Sequence, residues 1–231
     1  MSRKYTTLLI DADNTLLIFD KTENEALKSV MAVYNLPATE ENCRRYSAIN
    51  DALWKRFEKG EIERDEIKVT RFREFFSYLG VKEDFDPLEV NSKYLSFLRE
   101  GGHTIDGAEE LCRSLTEKGY KIYIITNGIA LTQEKRLKKS GLLPYISDVF
   151  ISETIGFQKP KREYFDYVLH SIPEKDKGRI LVIGDSLSSD IKGAIDSELD
   201  YIWYNHRREA TPEWLNAVAV VEDVREIGNI L

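Results

Sequence analysis

Cysteine is scarce in this chain, and its two copies lie far apart. The 231 residues contain only Cys43 and Cys112, without the CxxC spacing that is typical of a zinc site. This scarcity argues against a disulfide framework and fits a reducing compartment. No apolar run approaches membrane-spanning length, and the start, MSRKYTTLLI, is too short for a signal peptide. We therefore expect a cytoplasmic protein that does not bind a membrane.

Positive charge is also in deficit. The net charge is -7 and the pI is about 5.2, whereas a broad nucleic-acid-binding face requires clustered Lys and Arg. A small anion could still enter a local basic pocket. With 42% hydrophobic residues, the chain can bury a substantial core as one large domain or two smaller ones.

Short strand-like runs alternate with helical patterns through most of the chain. This alternation is typical of a parallel sheet with crossover helices, so we predict an α/β fold with a Rossmann-like core. The predicted strands are YTTLLI (5–10), YKIYIIT (120–126), DVFI (148–151), RILVIG (179–184), YIWY (201–204) and AVAVV (217–221).

Residues 20–100 have a different pattern, with charged amphipathic helices and no convincing strand. The block predicts a helical subdomain inserted into an α/β core that is formed by residues 1–19 and 101–231. The four predicted helices cover 22–35, 39–59, 63–80 and 86–100.

The stretch LLIDADNTLL (8–17) carries an apolar run directly into two carboxylates, Asp11 and Asp13. Acidic side chains at the end of a buried strand lose hydration and repel each other, so folding alone does not favour them. Turn formation and helix capping explain single polar residues at strand ends. They do not explain several acids expected at one edge of the same sheet.

Further polar residues follow other predicted strands. Thr126 and Asn127 end one strand, and Asp185 and Asp190 follow another, while Lys159 precedes a proline that starts a helix. Ligands of open α/β sheets bind outside the carboxyl ends of the strands, where the strand order reverses. We therefore expect these side chains to share one site.

Carboxylates and a lysine in one site suit phosphoryl chemistry. Mg²⁺ takes few protein oxygens and keeps water and phosphate oxygens as its other ligands. One carboxylate can attack phosphorus and form an aspartyl-phosphate, and a neighbour two residues on can transfer the proton. Thr126 and Lys159 would contact the non-bridging phosphoryl oxygens.

The motifs DADNT, TNG, QKPKREYF and GDSLSSD resemble, in order, those of the haloacid dehalogenase (HAD) superfamily of phosphohydrolases. The resemblance implies that Asp11 is the nucleophile and Asp13 the acid/base, with Thr126 and Lys159 as further catalytic residues. It also implies a Mg²⁺ cofactor. The hydrolytic dehalogenases of the superfamily lack the second aspartate, so Asp13 favours phosphoryl transfer.

The implied metal ligands are Asp11, the backbone carbonyl of Asp13, and Asp185. Asp190 is implied as a supporting acid. In this superfamily the helical insertion corresponds to a small α-helical cap.

The predicted cap segment 44–76 resembles the cap of bacterial pyrimidine 5'-nucleotidases, which dephosphorylate nucleoside monophosphates. Most of its aromatic residues are expected to pack in the core of a helical bundle, which helical spacing alone predicts. The predicted substrate-binding residues are Asn50, Trp54, Arg64 and Arg71 in the cap, together with Asn127.

Several alternatives stay open at this point. The leading hypothesis is a Mg²⁺-dependent phosphatase that acts on a small phosphorylated metabolite, a nucleoside monophosphate, as a monomer or homodimer. A sugar-phosphate phosphatase, such as one acting on acylneuraminate 9-phosphate, is the runner-up, and a mutase is not excluded. A binding protein without turnover has no chemical need for all the catalytic residue types.

Overall fold

A computed structural model describes residues 4–81 and 85–231. The chain forms two compact units: the described residues within Met1–Ile18 and Gly102–Leu231 make one, and those within Phe19–Gly101 make the other. Across the described ranges, no helix combines the length and the apolar character that are needed to cross a membrane.

The first unit is built on a six-stranded sheet with strand order β3-β2-β1-β4-β5-β6. All neighbouring strands run parallel. The predicted α/β class is therefore confirmed. The strands are β1 (Thr7–Asp11), β2 (Lys121–Thr126), β3 (Ile146–Ile151), β4 (Ile180–Gly184), β5 (Asp200–Tyr204) and β6 (Ala219–Val221).

Helices lie between consecutive strands of the chain from β1 to β5. In chain order, the α-helices of the described residues are α1 (Phe19–Val33), α2 (Glu40–Glu58), α3 (Arg64–Tyr78), α4 (Pro87–Leu98), α5 (Ala108–Glu117), α6 (Ala130–Ser140), α7 (Ser152–Ile155), α8 (Arg162–Ser171), α9 (Lys192–Asp196) and α10 (Ile227–Ile230).

Both faces of the sheet are covered by apolar side chains. Leu8 and Ile10 of β1 belong to a core with Leu111 of α5, whereas Leu9 belongs to a second core with Phe165 of α8. This division follows from the two-residue period of a strand, which sends neighbouring side chains to opposite faces. The near-continuous apolar run of β1 is thus explained by burial on both sides.

The second unit contains α1 to α4. Thr39 caps α2 by accepting a hydrogen bond from the backbone N–H of Asn42 at 3.1 Å, and Asp86 caps α4 through Leu88 at 2.9 Å. Aromatic rings fill its interior: Tyr46 lies 5.4 Å from Phe72 between ring centroids. The four helices match the predicted ones. Their ends are shifted by three residues or fewer, and the largest shift is at the start of α1.

Candidate active site

The site lies where the strand order of the sheet reverses. From β1 the chain continues to β2 on one side and later returns to β4 on the other side of β1. Asp11 is the last residue of β1, and Asp185 directly follows β4. Because Asp11 is in register with Ile125, Thr126 at the end of β2 also reaches this edge. The topology therefore joins three of the four sequence motifs.

Three carboxylates meet at this edge. Asp11, Asp185 and Asp190 each offer an oxygen, and these oxygens lie within 4.8 Å of one another. Burial raises the pKa of all three carboxyl groups, and neighbouring carboxylates raise it further. A cation at this position would relieve both costs.

Asp190 reaches the cluster because Gly184 has no side chain. A Cβ at Gly184 would lie 2.3 Å from Oδ2 of Asp190, well inside contact distance. The same oxygen accepts a hydrogen bond from the backbone N–H of Ser186 at 3.1 Å. The glycine of the GDSLSSD motif thus makes room for the acid that ends it.

Lys159 is buried among these acids. Its ammonium donates to Asp11 and Asp190, both at 2.6 Å, and to the carbonyl of Ile125 at 2.9 Å. Burial alone would lower the pKa of Lys159, but the two carboxylates outweigh it and raise that pKa. Lys159 is therefore a charged part of the site and not a solvated surface residue.

Asn127 joins the loop after β2 to the segment that carries Lys159. Its amide group donates to the carbonyl of Lys159 at 2.9 Å and accepts from the N–H of Lys159 at 2.8 Å. The predicted substrate-binding side chain thus holds the backbone of Lys159 on both sides.

Thr126 is held by a tyrosine from α8. The backbone N–H of Thr126 donates to the hydroxyl of Tyr164 at 3.1 Å, and that hydroxyl donates to the carbonyl of Phe150 at 2.7 Å. A buried chain of hydrogen bonds of this kind fixes the position of the Thr126 backbone.

The side chain of Asp13 points to α6. Oδ1 accepts a hydrogen bond from Nη1 of Arg136, and Oδ2 accepts one from Nε2 of Gln133 at 2.7 Å. Sequence reasoning missed both α6 residues. The available signal was their spacing of three, which places two polar side chains on one face of a helix.

The donor set suits a hard cation. Carboxylate and carbonyl oxygens are the ligands that Mg²⁺ takes in proteins, and among the described residues Asp11, Asp185 and Asp190 can each contribute one oxygen. Two of these acids also neutralise Lys159. The predicted ligand Asp185 and the supporting Asp190 are thus both brought to Asp11.

Two predicted substrate-binding residues lie inside the helical unit. Asn50 is fully buried and Arg71 is 3% exposed. Nη1 of Arg71 donates to Oδ1 of Asn50 at 3.2 Å, and Nε donates to Oδ1 of Asn91 at 3.2 Å. Nδ2 of Asn50 in turn donates to Glu23 at 2.8 Å. These side chains form a buried polar network.

Trp54 and Arg64 are the more accessible pair. Both are half-buried. The ring of Trp54 lies 5.7 Å from that of Phe57 in an edge-on arrangement, and the Arg64 guanidinium lies 5.0 Å from the centroid of the same Phe57 ring. The assignment of these cap residues to substrate binding stays a prediction.

The fold and the site together define a doubly wound α/β protein with a carboxylate-rich centre at its switch point. A family model described as haloacid dehalogenase-like hydrolase matches residues 5–197. The chain belongs to this family.

The chain is similar in sequence to several named proteins. YfnB of Bacillus subtilis (strain 168) is 44% identical over 203 residues, which cover 88% of this chain and 85% of YfnB. The pyrimidine 5'-nucleotidase PynA of Streptococcus pneumoniae (strain ATCC BAA-255 / R6) is 39% identical, with 87% and 84% of the two chains covered. The pyrimidine 5'-nucleotidase YjjG of Escherichia coli (strain K12) is 31% identical, with 99% and 98% covered.

A solved structure of YfnB also resembles this chain. It superposes with a TM-score of 0.92 at 39% identity and covers 99% of each chain. That crystal structure is described as bound to magnesium.

Proposed function

We propose that this protein is a Mg²⁺-dependent phosphatase that hydrolyses pyrimidine nucleoside 5'-monophosphates through an aspartyl-phosphate on Asp11. The observation that carries the proposal is the meeting of Asp11, Thr126 and Lys159 at one sheet edge, in a family member that is similar to two pyrimidine 5'-nucleotidases. The substrate is accordingly a small phosphorylated metabolite.

In the first step, a carboxylate oxygen of Asp11 bonds to phosphorus while the ester bond to the leaving oxygen breaks. Asp13 gives its proton to that oxygen, which leaves as an alcohol. In the second step, water attacks phosphorus and gives a proton to Asp13. The bond between phosphorus and Asp11 breaks, so that both aspartates return to their starting state.

Lys159 supports the nucleophile in this scheme. Its ammonium lies 2.6 Å from Oδ1 of Asp11, so it remains next to any phosphoryl group that Asp11 carries. Together with Thr126 it would neutralise charge on the non-bridging oxygens. Asp11, Asp185 and the backbone carbonyl of Asp13 would hold Mg²⁺, with Asp190 in support; the cation, when bound, offsets the repulsion between the carboxylates and the phosphate.

Covalent catalysis is tested with Asp11→Asn. The amide cannot form the acyl-phosphate, so activity should disappear while the circular dichroism spectrum stays unchanged. Rapid-quench labelling with a radiolabelled phosphate ester should trap phosphate on the wild-type protein only. Steady-state turnover by an Asp11→Asn sample that mass spectrometry shows to be free of wild-type protein would refute the covalent mechanism.

The substrate class is tested by phosphate release from a panel of phosphate esters. We expect UMP, dUMP and dTMP to exceed hexose phosphates and acylneuraminate 9-phosphate in kcat/KM, because contacts to base and ribose add binding energy. If the sugar phosphates were faster than every pyrimidine nucleotide, the nucleotidase assignment would be wrong and the sugar-phosphate alternative would replace it.

The role of the cap residues is tested with Trp54→Ala. We expect kcat/KM to fall far more for UMP than for p-nitrophenyl phosphate, because the smaller ester needs little from the cap. Trp54 suits this test better than Arg71, because the hydrogen bonds of Arg71 to Asn50 and Asn91 make Arg71→Ala a folding defect as well. Equal losses of kcat/KM for both esters would show that Trp54 does not bind the nucleotide.

A further inference from the structure

Asp13 is held by two residues of α6, and every atom of this contact belongs to the sheet unit. Nε2 of Gln133 donates to Oδ2 of Asp13 at 2.7 Å, and Nη1 of Arg136 donates to Oδ1. Gln133 and Arg136 are each 1% exposed, whereas the side chain of Asp13 is 27% exposed. The donors are therefore buried and the carboxylate is partly exposed.

The two donors are also fixed to each other and to the site. Nη1 of Arg136 donates to Oε1 of Gln133 at 3.0 Å, so the Gln133 amide has a defined orientation. Its Nε2 carries two hydrogens, and it donates to Oγ1 of Thr126 at 2.7 Å as well as to Asp13. One amide group thus ties the acid/base residue to the threonine at the end of β2.

Gly128 provides the space for this arrangement. A Cβ at Gly128 would lie 2.6 Å from both Cγ and Nε2 of Gln133. The backbone N–H of Gly128 donates to Oγ1 of Thr126 at 3.1 Å, which gives that hydroxyl a second donor. The glycine of the TNG motif therefore leaves room for the Gln133 side chain beside Thr126.

We propose that Gln133 and Arg136 are positioning residues that hold the carboxylate of Asp13 for proton transfer. This inference rests on the proposed function, in which Asp13 is the acid/base. Both Asp13 oxygens accept from these donors, which is the bonding pattern of an ionised carboxylate. One oxygen leaves its donor when Asp13 carries the proton for the leaving group, and the other donor keeps the side chain in line.

A positioning role differs from a structural role in its dependence on the leaving group. p-Nitrophenolate leaves without a proton, whereas the poorer leaving group of phenyl phosphate needs one from Asp13. Gln133→Leu removes the amide at nearly constant volume. We expect it to lower kcat/KM for phenyl phosphate by about 10- to 100-fold, mostly in kcat, and for p-nitrophenyl phosphate by less than about 3-fold.

Arg136 is tested with a conservative pair of variants. Arg136→Met should show the same dependence on the leaving group, and Arg136→Lys, which keeps the charge, should recover part of the loss. Exposed neighbours on the same helix serve as matched controls, since Glu134→Leu and Lys135→Met should leave both esters at wild-type rates. If Arg136→Met does not fold by circular dichroism, Gln133→Leu alone decides the question.

Asp13→Asn is the reference for this experiment. If Asp13→Asn lowers kcat/KM equally for both esters, the acid role of Asp13 fails and the proposed function fails with it; kcat/KM is the quantity to compare, because it excludes the later attack of water, in which Asp13 acts in the same way for both esters. If Asp13→Asn discriminates between the esters and Gln133→Leu does not, only the positioning inference is overturned. In the double variant, Gln133→Leu should cost nothing further, because its effect acts through Asp13; an additive loss would also overturn the inference.

Discussion

The side-chain nitrogen of Lys159 lies 2.6 Å from Oδ1 of Asp11, with both side chains buried. A second carboxylate, that of Asp190, lies at the same distance from the ammonium. The Lys159 ammonium thus neutralises two buried carboxylates in a region of low dielectric. Removal of that cation should cost stability as well as activity, since two carboxylates would remain buried together.

Lys159→Met is therefore expected to lower kcat/KM by at least about 100-fold and to destabilise the fold by about 3–5 kcal/mol. Mg²⁺ should raise the unfolding temperature of this variant more than that of the wild type, because the cation would offset the lost ammonium. Calorimetric scans with and without Mg²⁺ measure this difference. Lys161→Met, at an exposed position two residues on, is the control. Equal and small effects at both lysines would show that Lys159 contributes neither to catalysis nor to stability in the way proposed.

Removal of the metal should stop the reaction. We expect EDTA to abolish phosphate release, Mg²⁺ to restore it, and Ca²⁺ to support it poorly because Ca²⁺ prefers longer bonds and more ligands. Asp185→Asn should raise the Mg²⁺ dissociation constant by at least about tenfold in isothermal titration calorimetry. Asp196→Asn, an exposed acid of α9, should bind Mg²⁺ like the wild type. Unchanged Mg²⁺ affinity in Asp185→Asn would show that Asp185 is not a ligand.

The residues at strand ends could be predicted from the sequence because parallel strands bring distant segments to one edge. Asp11, Thr126 and Asp185 each end or follow an apolar run, so their meeting required only the order of the strands. Gln133 and Arg136 could not be found in this way. Their contacts with Asp13 depend on the rotation of α6 about its axis, which the packing of its apolar side determines.

The polar network of the helical unit shows a second limit of prediction from the sequence. The sequence predicts Asn50 and Arg71 as substrate-binding residues because segment 44–76 resembles the cap of the pyrimidine 5'-nucleotidases, and that role stays a prediction. Their partners Glu23 and Asn91 belong to other helices. Helical periodicity shows which face of a helix is buried, but not which polar groups of other helices satisfy it.

Glu23 gives this network a dependence on pH. The pKa of Glu23 is raised to about 7, chiefly by burial and also by the nearby Asp51 and Asp20, against the hydrogen bond from Ser47 and the charge of Arg71, which lower it. A carboxyl group with a raised pKa in the folded state binds more protons there than in the unfolded state. Its contribution to stability is therefore complete at acid pH and is lost as the pH rises from about 4.5 to about 7.

Glu23→Gln removes this titration and keeps an oxygen to accept from Asn50. We expect the variant to gain stability relative to the wild type between pH 5 and pH 8, by on the order of 2–3 kcal/mol. Urea unfolding at both pH values measures the gain. Glu25→Gln, an exposed position on the same helix, should show no such change. A constant difference between Glu23→Gln and wild type across this range would show that Glu23 does not titrate there.

Gly128→Ala should reproduce the effect of losing Gln133. The added methyl group would lie 2.6 Å from Cγ and Nε2 of Gln133, and the side chain of Gln133 is freer to move than the backbone of the loop. A displaced Gln133 would lose its hydrogen bond to Asp13, so kcat/KM for phenyl phosphate should fall by about tenfold or more while kcat/KM for p-nitrophenyl phosphate is nearly unaffected.

Gly141→Ala is a poor control because its φ of 78° disfavours any side chain. Ala130→Gly, at the start of the same helix, changes backbone freedom without touching Gln133. The double variant Gly128→Ala/Gln133→Ala decides the matter, because a shortened side chain leaves room for the methyl group. If the double variant shows the same discrimination between esters as Gln133→Ala alone, Gly128 acts through Gln133; a larger loss would mean that Gly128 is needed for the loop itself.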